Sequence, residues 1–234
     1  MNDDRLEVYL STILDVRSDS GSTQKDSDGR NDGEALKSLR QKAEAEGVPI
    51  IRTAAERYLR TVLAIRKPAR ILEVGTAVAY SAIMMALAAD DCHIVTIEDY
   101  APRIEAAKKN IASFGLNERI RLIEGDANDV LADMAASGDR YDLVFLDAAK
   151  GQYINQWNDI RTLMSEDGIL IADNVLQDGS VIDSRYAVKR RDRTIHGRMR
   201  EFLKTVFSDE AFVCDLLPVG DGLAIAVKKT SSAS

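Results

Sequence analysis

From Arg70 onward, short apolar segments alternate with longer segments whose apolar residues recur at helical spacing. Strand-like segments lie at 70–75, 93–97, 120–124, 141–146 and 168–172. Helical segments lie at 79–89, 102–114, 128–136, 152–163 and 194–207. This alternation predicts an α/β fold with a mostly parallel sheet and helices on both faces. Two further strands, 211–217 and 222–228, flank a Gly-Asp-Gly turn, which predicts a hairpin and hence an antiparallel last strand in a seven-stranded sheet.

The first 67 residues are predicted to form a helical preface to a core at 68–229, all within one domain of 234 residues. Helical spacing predicts helices at 5–16, 34–46 and 54–65. Thr53 with Glu56 fits a capping box for the last of them. Residues 18–33 contain no apolar side chain and are predicted to be a flexible loop.

Composition excludes several classes of protein. The sequence has no run of 18 apolar residues, so we expect no membrane span, and its acidic start lacks an apolar signal core, so we expect a cytoplasmic protein. The two cysteines, Cys92 and Cys214, lie in apolar strand-like segments and are expected to be buried thiols. The net charge of −7 argues against nonspecific nucleic-acid binding by the whole surface.

An acidic residue stands at or near the end of five successive predicted strands. These residues are Glu73, Glu98, Asp126, Asp147 and Asp173. Ligands of open α/β sheets bind at the carboxyl ends of the strands, so the five acids are expected to face one crevice. A single acid of this kind is as readily a solvated strand end, but packed carboxylates repel one another unless they bind donors or cations.

The first strand and its turn indicate the kind of ligand. Glu98 ends the second strand ~20 residues beyond the Gly75 turn, the usual place of an acid that binds ribose hydroxyls. The turn lacks the full G-x-G-x-x-G pattern whose glycines admit a pyrophosphate. A ligand with a ribose and no phosphate fits better, which favours S-adenosylmethionine (SAM) and makes a dehydrogenase the weaker alternative.

These motifs together resemble the divalent-metal-dependent O-methyltransferases, which include catechol and caffeoyl-CoA O-methyltransferases. The resemblance runs from about Val48 to Lys228 and rests on Glu73-Val-Gly-Thr76, Tyr80-Ser81, Glu98, Gly125-Asp-Ala127, Asp147-Ala-Ala-Lys150 and Asp173-Asn174. It implies a Rossmann-like methyltransferase fold. One departure is Ala79, where relatives usually carry Gly.

The resemblance also implies a role for each matching residue. Glu73 and Gly75 would contact the methionine end of SAM, with Ser81 nearby, and Thr76 would also bind the cofactor. Glu98 would hold the ribose, and Asp126 and Ala127 would border the adenine. Asp147, Asp173 and Asn174 would bind one divalent ion, with Asp147 also beside the cofactor. Lys150 would be the general base.

The chemistry of such a reaction calls for the same residue types. Carboxylate and amide oxygens suit Mg²⁺ or Mn²⁺, and three protein ligands leave room for two adjacent substrate oxygens. An ion placed there favours ionisation of the attacking hydroxyl. Lys150 follows Asp147 by three residues, and a nearby cation and partial burial are expected to favour its neutral form. The alternative without a catalytic role is that Lys150 is a solvated loop residue and Asp173-Asn174 only a turn.

Residues 185–204 form a basic segment with eight Lys or Arg and two acids, opposite in sign to the chain average. Such a patch attracts phosphate backbones, although a solvated helix face is the bland alternative. The sequence from Lys189 to Arg200 also resembles that of one bacterial branch of the family, which methylates 5-hydroxyuridine in the tRNA wobble position. On that reading Arg190, Arg191 and Arg193 contact RNA. His196 is either a further contact or a polar residue of the helix start, and Tyr153 and Trp157 either wall the substrate or pack in the core.

The sequence therefore predicts an RNA-modifying O-methyltransferase. The alternative acceptor is a small catechol-like or hydroxycinnamoyl-type compound. An alternative of another class is a catalytically silent nucleoside- or metal-binding module, which the Asp-Lys-Asp-Asn set argues against. The resemblance also implies a homodimer.

Overall fold

The computed structural model describes residues 31–177, 179–184 and 186–230. The predicted helix at 5–16 and most of the predicted loop at 18–33 lie outside these ranges. The last residues of that loop belong to a helix instead, because Asn31 caps it and Asp32 begins it. Within the described ranges, no helix is long and apolar enough to cross a membrane.

The seven strands form one sheet in the order β3-β2-β1-β4-β5-β7-β6. In chain order they are β1 Arg70–Val74, β2 His93–Glu98, β3 Ile120–Glu124, β4 Tyr141–Leu146, β5 Met164–Ala172, β6 Phe212–Leu217 and β7 Leu223–Lys228. The first five run parallel, and β7 is antiparallel to both β5 and β6. The predicted fold class, including the antiparallel last strand, is confirmed. β5 begins earlier than predicted, because Met164 pairs with Tyr141 before a shift of register.

Seven α-helices are described. They are α1 Asp32–Ala45, α2 Thr53–Arg66, α3 Tyr80–Ala88, α4 Ala101–Ser113, α5 Ala127–Ser137, α6 Tyr153–Leu163 and α7 Arg193–Phe207. A 3-10 turn, Lys150–Gln152, leads into α6, and another, Arg190–Asp192, leads into α7.

The helices cover the two faces of the sheet as separate layers. Alternate residues of β1 serve the two layers, since Ile71 packs with α1 to α4 while Leu72 and Val74 pack with α5 to α7. Side chains of a strand point to opposite faces in turn, so short runs of apolar residues fill both cores. This arrangement brings the carboxyl ends of β1 to β4 and the first turns of α3, α5 and α6 to one edge.

The predicted capping box is wrong. Helix α2 begins at Thr53 after Arg52, with no side-chain cap. Glu56 accepts hydrogen bonds from Arg40 of α1 at 2.5 Å, from Arg60 at 2.8 Å and from the Tyr80 hydroxyl at 2.9 Å. Burial opposes the ionisation of Glu56, but Arg60, Tyr80 and Arg40 hold its pKa below the ordinary value. The acid therefore joins α1, α2 and α3 rather than closing a helix end.

Candidate active site

A cavity of about 390 Å³ opens at the carboxyl ends of β1 to β4. Its wall contains most of the predicted site residues, namely Gly75, Thr76, Ser81, Glu98, Asp126, Ala127, Asp147, Lys150 and Asn174. Glu73 and Asp173 are buried, with 0% and 1% of their surface exposed. The predicted acids thus converge on one site.

The turn after β1 has no room for a side chain at Gly75. A Cβ there would lie 2.2 Å from the carbonyl oxygen of Asp147, and the φ of +103° is one that other residues rarely adopt. The next turn residues continue this unusual path, since Ala77 and Ala79 have φ of 46° and 65°. Ala79, where relatives usually carry Gly, thus adopts the left-handed conformation that glycine tolerates best. The β1 turn therefore lies directly against the end of β4.

Glu98 is held at the cavity wall by backbone donors. One carboxylate oxygen accepts the Ala77 N–H at 2.8 Å, and the other accepts the Tyr100 N–H at 3.1 Å. Carboxylate oxygens have further lone pairs. A fixed acid at the end of β2 can therefore also accept hydrogen bonds from ribose hydroxyls.

Glu73 lies beneath the cavity with part of its carboxylate unsatisfied. Burial raises the pKa of Glu73 to about 8, against the opposing effect of the Ser81 and Thr96 hydroxyls. Thr96 donates to Oε2 at 2.5 Å, whereas Oε1 has no hydrogen-bond partner in the described part of the chain. A buried acceptor without a donor is costly, so this oxygen suits a cationic or N–H ligand group.

The first turn of α5 borders the cavity next to Glu98. Asp126 caps this helix by accepting the backbone N–H of Asn128 at 2.8 Å, and it also accepts the Asn128 side-chain amide at 2.9 Å. This pairing leaves the Asn128 Oδ1 buried and without a partner among the residues described. Ala127, beside it, adds a small apolar surface to the wall.

Lys150 and Asp147 form an ion pair at the end of β4. The Lys150 Nζ donates to Asp147 Oδ1 at 2.7 Å and to the Tyr153 hydroxyl at 3.0 Å. Burial alone would lower the pKa of Lys150, but the charges of Tyr153 and Asp147 raise it above the ordinary value. Burial therefore acts in the expected direction, but Tyr153 and Asp147 outweigh it, so the neutral amine still needs the neighbouring cation that the prediction included.

Asp173 supplies a second carboxylate beside this pair. Its Oδ1 accepts the Asn174 N–H at 2.7 Å, while the buried Oδ2 meets no donor within the described ranges. Burial, followed by the negative charge of Asp147, raises the pKa of Asp173 to about 6. Two carboxylates that destabilise each other, one with an orphan oxygen, fit a cation.

The candidate metal ligands are all oxygen donors, which are hard ligands in the sense of metal coordination. The part of the chain that the structure describes contains no cluster of three His, Cys, Asp or Glu side chains that could hold a metal. The predicted set instead has two carboxylates and the Asn174 amide, which lines the cavity. Oxygen ligands of this kind suit Mg²⁺ or Mn²⁺ rather than zinc.

The sequence matches the O-methyltransferase family over residues 25–229. This chain is a member of the O-methyltransferase family. A catechol O-methyltransferase of Niastella koreensis is 30% identical over 210 residues, covering 86% of this chain and 92% of the relative.

Two solved structures are also similar. A candidate caffeoyl-CoA O-methyltransferase of Staphylococcus aureus has 28% identity and a TM-score of 0.81, covering 94% of this chain and 99% of the other. An SAH-bound methyltransferase of Podospora anserina has 25% identity and a TM-score of 0.78, with coverage of 98% and 97%. SAH is S-adenosylhomocysteine. The predicted family and enzyme class are confirmed.

The three arginines predicted to contact RNA lie outside the cavity wall of this O-methyltransferase. Arg190 and Arg191 are exposed, and the Arg191 side chain retains 79% of its accessible surface, 3.5 Å from Asp192. Arg193 instead donates to the carbonyl oxygens of Val188 at 3.1 Å and Tyr186 at 3.4 Å. Its guanidinium is thus engaged by the chain that precedes α7.

The other three residues singled out near this segment are buried. His196 faces the carbonyl oxygen of Asp183 at 3.2 Å. Tyr153 and Trp157 pack against Phe202 of α7, with ring centroids 5.4 Å and 6.4 Å apart. Both aromatic residues therefore belong to the core and not to the cavity wall.

The basic segment nevertheless meets the turn that carries Lys150. The Arg198 side chain donates to the Gly151 carbonyl oxygen at 2.9 Å. A Cβ at Gly151 would lie 3.8 Å from Ile195. The start of α7 is therefore adjacent to Lys150.

Sequence reasoning missed several polar residues of the cavity, among them two amides on helices. Gln156 lines it from α6 with only 2% of its surface exposed, and its Oε1 finds no hydrogen-bond partner in the described chain. Asn128 lines it from α5. Neither amide stands at a strand end, and on a helix an isolated amide gives no signal that separates a binding residue from a solvated one.

Proposed function

We propose that this O-methyltransferase transfers the methyl group of SAM to a hydroxyl that has a second oxygen on the adjacent atom. The observation that carries the proposal is the Asp147–Lys150 pair beside the orphan Oδ2 of Asp173, at the edge of a cavity that also presents Glu98. The pair serves proton removal and the cavity serves an adenosyl ligand.

The cofactor proposal assigns one group to each end of SAM. Glu98 accepts hydrogen bonds from the ribose, and the buried carboxylate of Glu73, with its free Oε1, pairs with the methionine ammonium. Gly75 lets the turn after β1 pack against the Asp147 backbone, where a side chain has no room. The SAH-bound methyltransferase of Podospora anserina supports SAM as the cofactor.

Asp147, Asp173 and Asn174 would hold a divalent ion. When bound, such an ion supplies positive charge that favours ionisation of the acceptor hydroxyl. Lys150 takes the hydroxyl proton at Nζ once a neighbouring positive charge has lowered its pKa. The acceptor oxygen then forms a bond to the methyl carbon, the carbon–sulfur bond breaks, and its electron pair stays on the sulfur of SAH.

Substitution of the pair tests this assignment. We expect Asp147→Ala and Lys150→Ala each to lower methyl transfer at least ~100-fold, because each removes a group that handles the proton or the charge. Lys150→Ala should still bind SAH, measured by titration calorimetry. Asp133→Ala and Lys109→Ala, at exposed helix positions, are the matched controls. Methyl transfer at a near-normal rate by either Asp147→Ala or Lys150→Ala would refute the proposal.

Chelation tests the ion. EDTA should abolish methyl transfer, and Mg²⁺ or Mn²⁺ should restore it. The Asp173→Asn variant should require a higher concentration of the ion, because it removes one of two negative ligands. Full activity in EDTA after extensive dialysis would contradict the metal assignment.

For the acceptor, we propose 5-hydroxyuridine of tRNA. Its O5 hydroxyl and O4 carbonyl are on adjacent carbons, and unstacked loop bases are the usual targets of proteins that recognise RNA. The exposed Arg190 and Arg191 support this proposal, because they precede the part of α7 that touches the Lys150 turn. Exposed arginines next to a catalytic turn can hold the phosphates that flank a base.

A small catechol-like or hydroxycinnamoyl-type acceptor is the second candidate. The similarity to the catechol O-methyltransferase of Niastella koreensis favours it. On this reading Arg190 and Arg191 bind an acidic part of the substrate or are only solvated.

One double variant separates the two acceptors. Arg190→Ala with Arg191→Ala should lower tRNA methylation ~10-fold or more and leave a free catechol methylated at the normal rate. Arg193 is kept, because its bonds to Val188 and Tyr186 make its loss a structural change. Unchanged 5-methoxyuridine, measured by nucleoside mass spectrometry in tRNA from cells that lack the protein, would exclude the RNA acceptor.

We also propose that the enzyme is cytoplasmic, that its helical preface and catalytic core form one domain, and that it is a homodimer, as the resemblance implies. The chain mass of 25.8 kDa makes the assembly measurable by light scattering.

A further inference from the structure

Two residues of neighbouring helices line the cavity and carry amide oxygens without partners among the residues described. Gln156 Oε1 belongs to α6 and Asn128 Oδ1 to α5, and both are buried with no hydrogen-bond donor in the ranges described. Both residues line the cavity. Orphan buried carbonyls are rare in folded proteins because each costs about 1–3 kcal/mol. A pair of them at one cavity indicates a ligand that brings N–H donors.

The fold shows which end of the cavity Gln156 serves. Its neighbour Trp157 packs on Phe202 of α7 and Phe212 of β6. Successive helix residues are turned by about 100°, so Gln156 lies on the other flank of α6. That flank faces α5, because α6 packs between α5 and α7. Gln156 therefore lies on the side of Asn128, away from the basic segment of α7.

The ligand group that fits this place is a 6-aminopurine. A ribose at Glu98 directs its base toward the first turns of α5 and α6, where Ala127, Ala148 and Ala149 leave a shallow apolar wall. The 6-amino group of adenine has two N–H bonds. The two orphan oxygens can accept one each.

We propose that Gln156, together with Asn128, selects the adenine of the cofactor by accepting hydrogen bonds from its 6-amino group. This inference rests on the proposed SAM dependence and adds a specificity-determining residue outside the strand ends. Gln156 can also donate its amide N–H to a ring nitrogen, the pairing that Asn and Gln make with adenine in nucleic acids.

Titration calorimetry with two ligands tests the proposal on the full-length protein. The ligands are SAH and the SAH analogue in which hydrogen replaces the 6-amino group. The wild type should bind the analogue about 5- to 50-fold more weakly, as expected for two lost hydrogen bonds. Gln156→Met should bind SAH about 2- to 10-fold more weakly than the wild type and bind the analogue equally well. The ratio of the two affinities should therefore fall.

A stability measurement separates recognition from a structural role. Methionine has the length of glutamine without its polar atoms, so ligand-free Gln156→Met should unfold at the wild-type temperature or above it. Asn158→Leu, an amide-to-alkyl change on the exposed face of α6, is the matched control and should leave both affinities unchanged.

The outcomes are distinct. Equal weakening of both ligands by Gln156→Met, or an unchanged affinity for SAH, would overturn the role of Gln156 and leave the SAM proposal standing. A wild-type protein that binds neither ligand would overturn the SAM proposal itself.

Discussion

Replacing Arg40 with methionine should destabilise the protein by about 2 kcal/mol. Arg40 joins α1 to the cavity wall, donating to Glu56 at 2.5 Å, to the Tyr80 hydroxyl at 3.0 Å and to the Ile51 carbonyl oxygen at 3.2 Å. Its guanidinium also lies 4.5 Å from the Tyr80 ring centroid. Removing one partner of a buried ion pair costs about 3–5 kcal/mol.

We expect a cost of only about 2 kcal/mol because Glu56 keeps two of its three hydrogen-bond donors. Arg40 and Glu56 have side-chain exposures of 17% and 11%, so solvent screens the pair only in part. After the substitution Glu56 still accepts from Arg60 and Tyr80. Arg60→Met is the matched comparison, and it should cost below about 1 kcal/mol because the Arg60 side chain is 38% exposed.

Urea unfolding at pH 7 and at lower pH measures both variants. The pKa of Glu56 is lowered on folding, so its pairing stabilises the fold above the unfolded pKa, and this contribution is lost as the pH falls through the folded value. The gap between wild type and Arg40→Met should therefore narrow below about pH 4.5. An Arg40→Met variant no less stable than Arg60→Met at pH 7 would refute the reasoning.

Two further predictions concern the β1 turn and its acid. Gly75→Ala should destabilise the protein by about 2–4 kcal/mol in thermal unfolding and abolish SAH binding, because the new methyl group would lie 2.2 Å from the Asp147 carbonyl oxygen. Gly197→Ala is the control in the same assay. It should stabilise the protein by about 0.5–1 kcal/mol, because the space around Gly197 in α7 is open. The raised pKa of Glu73 means that the folded chain holds a proton that the unfolded chain releases, so stability should fall as the pH rises from about 4.5 to about 8. Glu73→Gln should flatten that slope in unfolding measurements across this range, and an equally steep slope in the variant would contradict it.

The sequence predicted the strands and the acids at their ends because both leave local signals. A buried parallel strand is a short apolar run, and the first polar residue after it falls at the sheet edge, as Asp147 does after β4. The order of the strands then brings together residues that are far apart in the chain. The parallel strand order is therefore sufficient to bring the acids at the strand ends to one edge of the sheet.

Other features were not predictable from local pattern. Glu56 has the spacing of a capping box, but long-range partners on α1 and α3 take its carboxylate instead. Arg193 belongs to a dense basic segment, yet its guanidinium donates hydrogen bonds to two backbone carbonyl oxygens. Gln156 could be recognised only once the cavity was known. Tertiary neighbours decide the roles of Glu56 and Gln156, and the path of the preceding segment decides that of Arg193.

The bond from Arg198 to the Gly151 carbonyl couples two parts of the enzyme mechanically. Gly151 follows Lys150 directly, so a rigid displacement of the start of α7 must either break this bond or carry the lysine with it. On the proposed mechanism, a bulky acceptor that pushes against α7 would thus alter the position of the Nζ that receives its proton. That mechanism therefore makes the fit of the acceptor and the rate of proton removal interdependent, and it predicts that changes in α7 that widen acceptor choice slow the transfer step.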